Sequence, residues 1–252
     1  MSQENPDSRY DPQMLLENIG VEGQRRLGQS KVLLVGCGGL GSMVISVLVR
    51  AGVGQVTVLD ADRVEMSNLG RQILFNEDDV AEARPKVEAA RDRLARINST
   101  VSVRALVERF EQHNARALVA DADLVVDGTD NFEARYLIND TCVELGTPWI
   151  YGGVVATSGL RLTVVPGQGP CLRCLFPTRP EPGVLPHPRT HGILGTLPMV
   201  VAALQATEAI KLLTGAPAST GLLTMDLWEG RFQTVKARRD PKCPVCSRIA
   251  SK

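Results

Sequence analysis

The chain has 252 residues, of which 44% are hydrophobic and 22% are charged, as in an ordinary globular protein. Lys plus Arg and Asp plus Glu number 28 each, and this balance argues against a nucleic-acid-binding or membrane-binding protein. No apolar run is as long as a membrane span, the longest lying near Met199–Leu204. The polar N-terminus, Met1 to Asp11, lacks the apolar core of a signal peptide. We therefore expect a soluble, cytoplasmic protein.

The first 60 residues predict a strand–loop–helix–strand unit. Residues 31–35 (KVLLV) form a continuous apolar run, typical of a buried strand in a parallel sheet. A glycine-rich loop follows, then an apolar helix over 40–51 that ends at Gly52, and a second strand over 55–59 that closes on Asp60. Such a unit is characteristic of nucleotide-binding α/β folds.

Strands and helices continue to alternate as far as residue 152. A polar loop over 61–84 precedes a helix over 85–97, which begins at Pro85 and has Val87 and Leu94 on one face. The elements expected after it are strands at 100–107, 123–127 and 148–152, and helices near 114–120 and at 131–145. This alternation predicts a doubly wound parallel sheet with right-handed crossovers.

The pattern changes after Gly153. Residues 159–165 and 220–236 alternate like antiparallel strands, and a helix over 197–213 lies between them with Thr196 as its N-cap. We therefore predict an α/β fold whose mostly parallel, Rossmann-like sheet is extended by antiparallel strands in the C-terminal half. The predicted organisation is a single domain over 1–252, with a nucleotide-binding half at 20–152 and a C-terminal half at 153–252.

The loop Gly36-Cys37-Gly38-Gly39-Leu40-Gly41 connects the first strand to its helix. A GxGxxG loop in this place lets backbone N–H groups approach a phosphate at a helix N-terminus. Asp60, 19 residues beyond Gly41, ends the second strand, where a carboxylate can accept the ribose hydroxyls and repel a 2′-phosphate. The strand, the helix and the acid together disfavour a tight turn that binds nothing. The loop does not distinguish ATP from NAD.

Lys86 follows Pro85 in the first turn of the predicted helix. A cation there opposes the positive end of the helix dipole, and Arg84 adds a second cation. Neither Ala83 nor Arg84 can cap the helix with an oxygen, so this helix start suits an anion-binding site. A tolerated surface lysine is the alternative, which the sequence alone does not exclude.

Asp130 follows the predicted strand over 123–127. Ligands of parallel sheets bind at the carboxyl ends of the strands, and an acid there can hold Mg²⁺. The alternative is structural, because Asp130-Asn131-Phe132-Glu133 fits a capping box with Asp130 as the N-cap.

Four of the six cysteines form two CxxC pairs, Cys171–Cys174 and Cys243–Cys246. In a cytoplasmic chain this pattern favours a metal over disulfides, and four thiolates suit a closed tetrahedral Zn²⁺ site. Such a site would attach the C-terminal tail to the middle of the chain. Four free thiols, or a redox role for one pair, are the alternatives that the spacing disfavours. Cys37 and Cys142 are expected to be small core residues.

Together these motifs resemble the MoeB/ThiF/HesA family, relatives of the ubiquitin-activating enzymes. The segment Ser67–Gln72, which spacing alone would make an ordinary solvated loop, is part of the resemblance. The matching segments are collinear and cover residues 20–246. They are VLLVGCGGLGS (32–42), AGVGQVTVLDAD (51–62), SNLGRQILF (67–75), RPKVEAARDRLARIN (84–98), DGTDN (127–131), CLRC (171–174), GTLPMVVAALQATEAIKLLTG (195–215) and CPVC (243–246).

The resemblance implies a homodimer that uses MgATP to adenylate the C-terminal glycine of a small ubiquitin-like sulfur carrier, such as MoaD or ThiS. A slim tail ending in Gly-Gly would suit that reaction. The implied nucleotide site comprises Gly36, Gly38, Gly39, Gly41, Asp60, Asp62, Ser67, Asn68, Arg71, Gln72, Lys86, Asp130 and Asn131. The implied catalytic residues are Arg71, Lys86 and Asp130, with Mg²⁺ on Asp130, and the implied zinc ligands are Cys171, Cys174, Cys243 and Cys246.

The chain departs from the family pattern in two places. The family often begins with Arg-Tyr-x-Arg-Gln, whose second Arg reaches into the partner subunit's ATP site, whereas Pro12 stands at that position here. Whether Arg9 replaces that arginine stays open. Some members also carry a cysteine on the loop before the 195–215 helix, where this chain has His187-Pro188-Arg189-Thr190. A covalent carrier step on that loop is therefore in doubt.

The sequence thus favours adenylation over two other functions. The glycine loop and Asp60 also permit an NAD-dependent oxidoreductase, but the chain offers no convincing His/acid pair for hydride chemistry. A non-catalytic scaffold that binds a carrier without activating it is left open by Pro12.

Overall fold

The computed structural model describes residues 6–179, 188–219 and 221–248. Eight strands within these ranges form one sheet in the order β3-β2-β1-β4-β5-β6-β7-β8. The strands are β1 (Lys31–Val35), β2 (Gln55–Leu59), β3 (Ser102–Leu106), β4 (Leu124–Asp127), β5 (Trp149–Val155), β6 (Ser158–Val164), β7 (Leu222–Asp226) and β8 (Arg231–Val235).

The sheet is parallel from β3 to β5 and antiparallel from β5 to β8. The predicted fold class is therefore confirmed. The predicted change of pattern at Gly153 falls inside β5, which pairs with parallel β4 on one side and antiparallel β6 on the other. The two halves of the chain consequently share one continuous sheet.

The helices cover both faces of this sheet. They are α1 (Asp11–Met14), α2 (Gly20–Gln29), α3 (Gly39–Ala51), α4 (Glu77–Ala81), α5 (Lys86–Ile97), α6 (Gln112–Ala120), α7 (Phe132–Leu145), α8 (Leu172–Leu175), α9 (Pro188–His191) and α10 (Thr196–Thr214). Alternate residues along β1 face opposite cores, with Val32 and Leu34 against α3, α5 and α10, and Leu33 and Val35 against α6 and α7. Helices on both faces explain why the parallel strands β1, β2 and β4 are mostly apolar.

Two local predictions were wrong. The segment 61–84 is not entirely a loop, because α4 forms within it; Asn76 and Asp79 cap its start reciprocally, each accepting the other's backbone N–H. Thr196 is not an N-cap, because it is the first residue of α10 and Gly195 precedes it as the cap.

Helix α10 has the length and apolar composition of a membrane span, contrary to the expectation that no apolar segment reaches that length. It packs along α3 and β5, and Leu197, Val201 and Ala206 on its inner face are completely buried. By length and composition alone it is weak evidence of a membrane span, since the core helix of a folded domain has the same properties.

A buried carboxylate attaches α10 to β6. The Glu208 carboxylate accepts hydrogen bonds from the Lys211 ammonium at 2.8 Å, the Ser219 hydroxyl at 2.6 Å and the Thr163 hydroxyl at 3.0 Å, and Arg161 lies 3.7 Å away. Burial alone would raise the pKa of Glu208, but these donors lower it to about 2. The Glu208 carboxylate therefore stays ionised inside the C-terminal half, where Lys211 and Arg161 balance its charge.

Candidate functional site

The glycine loop lies against the turn that follows β4. The Gly36 N–H donates to the Leu59 carbonyl at 2.8 Å, and the Gly128 N–H donates to the Val35 carbonyl at 2.7 Å. A Cβ at Gly36, where φ is +92°, would lie 2.7 Å from the Gly128 oxygen, and one at Gly41 would lie 2.0 Å from the Gly36 oxygen. Close backbone packing therefore requires glycine at these positions and brings the ends of β1 and β4 together.

Gly38 and Gly39 have no such packing requirement within the described residues. A Cβ at Gly38 would meet only the Gln72 Nε2 at 3.8 Å, and one at Gly39 would meet Pro198 at 3.4 Å. Both are ordinary contacts, so the fold itself would accept side chains there. Both glycines lie at the N-terminus of α3, whose first backbone N–H groups have no partner inside the helix. The loop thus forms a cradle that fits a phosphate.

The segment 66–72 forms one wall of this cradle. Gln72 is only 3% exposed, and its Oε1 has no hydrogen-bond partner among the described residues. The Arg71 side chain passes Gly39 with its Cγ, 3.7 Å from a Cβ built there, and its guanidinium donates to the Ser67 carbonyl at 2.9 Å. The buried Asn68 caps its own turn, since its Oδ1 accepts the Glu65 N–H at 3.2 Å. Arg71 and Gln72 are therefore better placed than Asn68 to contact a ligand.

Acidic and basic groups meet at the end of β2. The Asp60 carboxylate accepts the Cys37 N–H at 2.7 Å and the Asp62 N–H at 2.8 Å, and Asp62 is paired with the Lys86 ammonium at 2.9 Å. Burial raises the pKa of Asp60, while Lys86 and the two N–H donors oppose that rise. Lys86 is buried although it is charged, which contradicts the alternative that it is a tolerated surface lysine.

Arg84 does not take part in this group. Its guanidinium binds Asp92 at 2.5 Å and lies 3.5 Å from the buried Asp79, so the two cations predicted at one anion site do not lie together. The start of α5 is uncapped by side chains within the described part of the chain, as expected. Backbone bonds between 62–64 and 84–86 place Lys86 beside the end of β2.

Asp130 lies exposed on the turn after β4, next to the glycine loop. The alternative that it caps α7 is wrong, because Asn131 is the N-cap and its side-chain oxygen accepts the Ala134 N–H at 2.9 Å. Asn131, which the resemblance places beside the nucleotide, therefore caps α7 with its side-chain oxygen. The carboxylate of Asp130 remains the group suited to a hard cation.

Cys37 lies in the glycine loop, but its side chain belongs to the hydrophobic core. Its side chain is completely buried, and burial raises the pKa of its thiol well above the usual range. A protonated, buried thiol is a poor nucleophile. Cys142 is equally buried, and both are core residues as predicted.

The two CxxC pairs converge as predicted. The four sulfur atoms lie within 4.8 Å of one another, with Sγ–Sγ distances of 3.9 Å for Cys171–Cys174, 3.6 Å for Cys171–Cys243 and 3.4 Å for Cys174–Cys246. A tetrahedral Zn²⁺ with bonds of about 2.3 Å separates its sulfurs by about 3.8 Å. The cluster therefore fits zinc and is too open for disulfides, whose sulfurs lie about 2.0 Å apart.

Arg9 lies far from the glycine loop of its own chain. Its guanidinium donates to the Ile97 carbonyl at 3.4 Å, at the C-terminal end of α5. Lys86 begins the same helix, eleven residues earlier, so the two ends are about 17 Å apart at about 1.5 Å per residue. Within one chain, Arg9 therefore does not supply a charge to the predicted nucleotide site.

Sequence reasoning missed the support beneath Asp130. The buried Asp127 carboxylate binds Arg135 on α7 at 3.1 Å and the Thr129 hydroxyl at 2.7 Å. Two features of the sequence could have indicated this ion pair. Asp127 ends an apolar strand, and Arg135 lies among apolar residues of the following helix.

Comparison with known proteins places this chain in a family. The ThiF family model matches residues 10–245. The chain is 45% identical to the "Sulfur carrier protein adenylyltransferase" of Thermus thermophilus over 245 residues, covering 94% of this chain and 90% of that protein. It is also 45% identical to the "SAMP-activating enzyme E1" of Haloferax volcanii over 240 residues, covering 94% and 88%.

The fold has a close counterpart among solved structures. The structure of E. coli MccB with ATP superposes with a TM-score of 0.83 at 27% identity, covering 97% of this chain and 74% of that one. The sheet, the glycine loop and the sequence matches agree, and the resemblance inferred from the motifs is confirmed. The chain belongs to the ThiF family.

Proposed function

We propose that this chain uses MgATP to adenylate the C-terminal glycine carboxylate of a small ubiquitin-like sulfur-carrier protein. The observation that carries the proposal is the cradle at Gly38 and Gly39, which the fold could fill with side chains but leaves open beside Arg71. Lys86, paired with Asp62 after the neighbouring strand β2, adds a second cation. The Thermus and Haloferax relatives support it, since their names describe a sulfur-carrier adenylyltransferase and a SAMP-activating enzyme.

In the proposed reaction a carboxylate oxygen of the carrier attacks the α-phosphorus of ATP. A new carboxyl–phosphorus bond forms, the bond to the bridging oxygen breaks, and pyrophosphate leaves with the electron pair. The main barrier is electrostatic, because an anion approaches a polyanion. Arg71 and Lys86 reduce that repulsion, and Mg²⁺ held by Asp130 would offset the remaining phosphate charge. The chain needs no covalent nucleophile for this step.

Some of the site residues would orient the nucleotide, and others would balance its charge. Backbone N–H groups at the start of α3 would bind the phosphates, and Asp60 would accept the ribose hydroxyls with the lone pairs that Cys37 and Asp62 do not use. Lys86 is held by Asp62, so its ammonium is already positioned before ATP binds. The Oε1 of the buried Gln72 has no hydrogen-bond partner among the described residues, and it would accept a hydrogen bond from the ligand.

The four-cysteine cluster supplies structure. Zinc there would join α8 to the C-terminal tail. The Asp240 N–H already donates to the Cys174 sulfur at 3.4 Å, an interaction that favours a thiolate.

The hairpin β7–β8 is the surface that we assign to the body of the carrier. Trp228 in its turn is 75% exposed and Phe232 is 57% exposed. Because β7 runs parallel to β1 and ends at the same end of the sheet, this turn lies on the same side as the glycine loop, four strand spacings or about 19 Å away. About six extended residues span that distance, and a slim Gly-Gly end would suit the last part.

The segment that begins with β8 is basic and would favour an acidic carrier. Residues 231–239 contain four cations and no acid, although Glu229 and Asp240 flank the segment and the whole chain is neutral. Arg231, Lys236 and Arg238 among them are exposed. Such a patch would steer an acidic partner toward the hairpin.

We also propose a homodimer. In the resembling family a partner subunit contributes an N-terminal arginine, and Pro12 stands at that position here. Arg9 cannot act within its own chain, so any contribution from it would have to come across a dimer interface. Of the predicted crossover segment His187-Pro188-Arg189-Thr190, the first residue lies outside the described residues and the other three lie in α9.

The experiment is ATP–pyrophosphate exchange with small Gly-Gly-ended proteins from the same genome. Lys86→Ala and Asp130→Ala should remain folded and lose exchange by a factor on the order of 10²–10³. Lys31→Ala is the matched control, because Lys31 begins β1 at the end of the sheet opposite the glycine loop, where it pairs with Asp121 at 2.8 Å. Near-normal exchange in either site variant would contradict the assignment, and ATP binding without exchange by the wild type would indicate a scaffold.

A further inference from the structure

A buried ion-pair cluster lies directly beneath the turn that carries Asp130. Its members are Asp127, Thr129, Arg135 and the backbone of Gly152. Asp127 is completely buried at the end of β4, and Arg135 on α7 is 6% exposed. None of these side chains was assigned to the nucleotide site.

The cluster holds the Thr129 backbone from both sides. One oxygen of the Asp127 carboxylate accepts the Thr129 N–H at 2.9 Å and its hydroxyl at 2.7 Å. The Arg135 guanidinium binds the other Asp127 oxygen at 3.1 Å and donates to the Thr129 carbonyl at 2.8 Å. The peptide groups on both sides of the residue before Asp130 are therefore fixed.

Further contacts fix the cluster itself. The same Arg135 nitrogen donates to the Gly152 carbonyl on β5 at 3.0 Å, and the guanidinium lies 5.3 Å from the Phe132 ring and 5.1 Å from the Tyr151 ring. On the other side, the Gln205 amide of α10 donates to the Asp127 carbonyl at 2.8 Å. The turn is thus connected to β5, α7 and α10.

Stability alone is a weak reason for this arrangement. Burying two charges costs desolvation energy, and a buried ion pair is often no more stable than apolar residues of the same volume. What an apolar pair cannot do is bind a backbone N–H and a backbone carbonyl of one residue at once. The arrangement therefore controls backbone geometry more than it contributes to stability.

We propose that Asp127, Thr129 and Arg135 are positioning residues, which hold the turn so that the Asp130 carboxylate faces the phosphates. This inference rests on the proposed function, in which Asp130 holds Mg²⁺. The three residues do not touch the nucleotide. Their loss should therefore weaken the use of Mg²⁺ more than the binding of the nucleotide itself.

The test compares Thr129→Val, which removes the hydroxyl at nearly constant volume, with Thr129→Ser, which keeps it. Thr207→Val is the matched control, because its exposed hydroxyl only bonds to Ala203 of its own helix. Losing one hydrogen bond to a charged group corresponds to about tenfold in affinity. Thr129→Val should therefore raise the Mg²⁺ concentration for half-maximal exchange about tenfold, Thr129→Ser should largely restore it, and Thr207→Val should match the wild type.

A second readout does not depend on activity. Amide hydrogen exchange at residues 128–131 of the protein without nucleotide should be about tenfold faster in Thr129→Val than in Thr129→Ser. A folded Thr129→Val protein with wild-type amide exchange in this turn would overturn the inference, as would an unchanged Mg²⁺ requirement in an active enzyme. Wild-type protein without pyrophosphate exchange would refute the proposed function instead, and the amide measurement would still decide the inference.

Discussion

Gly39→Ala separates the binding role of the glycine loop from its packing role. A Cβ at Gly39 would lie 3.4 Å from Pro198 and 3.7 Å from Arg71, so the folded protein can accept the added methyl group. Gly39 is the first residue of α3, and replacing glycine by alanine in a helix is favourable by up to about 1 kcal/mol. The melting temperature should therefore stay the same or rise.

Nucleotide binding should respond in the opposite direction. The methyl group would occupy the space in which a phosphate approaches the N–H groups of α3. Displacement of the phosphate from two charge-assisted hydrogen bonds costs at least about 3 kcal/mol, or roughly hundredfold in affinity. Gly28→Ala is the matched control, since Gly28 lies on α2 and a Cβ there meets no described atom within 4 Å.

The assay is titration calorimetry with MgATP on proteins of measured melting temperature. Gly41→Ala provides the contrast, because its Cβ would lie 2.0 Å from the Gly36 oxygen and should destabilise the fold by more than about 2 kcal/mol. Wild-type MgATP affinity in a folded Gly39→Ala protein would refute the placement of the phosphates on this loop.

Three further predictions concern the C-terminal half. Cys243→Ser should reduce zinc, measured by elemental analysis, from about one ion per chain to a small fraction, while Cys142→Ala keeps it; equal zinc in both would contradict the cluster. The pKa of Glu208 is lowered to about 2, so its ionised carboxylate stabilises the folded protein fully above about pH 4.5. That stabilisation is lost as the pH falls toward 2. Urea unfolding should show a smaller loss of stability over that range in Glu208→Gln. Trp228→Ala with Phe232→Ser should raise the KM for the carrier at least about tenfold and leave ATP affinity unchanged; an unchanged KM would exclude the hairpin.

Much of the fold could be predicted from local patterns. The apolar runs at 31–35 and 55–59 coincide with β1 and β2, because both faces of a parallel sheet are covered and four of the five residues in each strand are buried. Gly52 ends α3 in the left-handed conformation, as its position suggested. The CxxC spacing identified the metal cluster because two thiols three residues apart can reach one ion.

The parts that local patterns could not predict depend on contacts between distant residues. Asp130 and Asn131 both suit a helix cap, and only the turn held by Asp127 and Arg135 makes Asn131 the cap. Arg84 and Lys86 are equivalent in the sequence, yet Asp92 binds the first and Asp62 the second. The chain therefore shows which residue types are available near a site, while tertiary packing decides which of them enter it.

Carrier-dependent adenylation is tested most directly by measuring pyrophosphate exchange while the carrier's C-terminus is varied. Labelled pyrophosphate should enter ATP only when the wild-type chain, Mg²⁺ and a Gly-Gly-ended carrier are all present. A carrier that lacks its final glycine should support less than about one per cent of that rate, because the attacking carboxylate then falls short of the α-phosphorus. Exchange that is equally fast with the shortened carrier, or absent with every Gly-Gly-ended protein of the genome, would contradict the account.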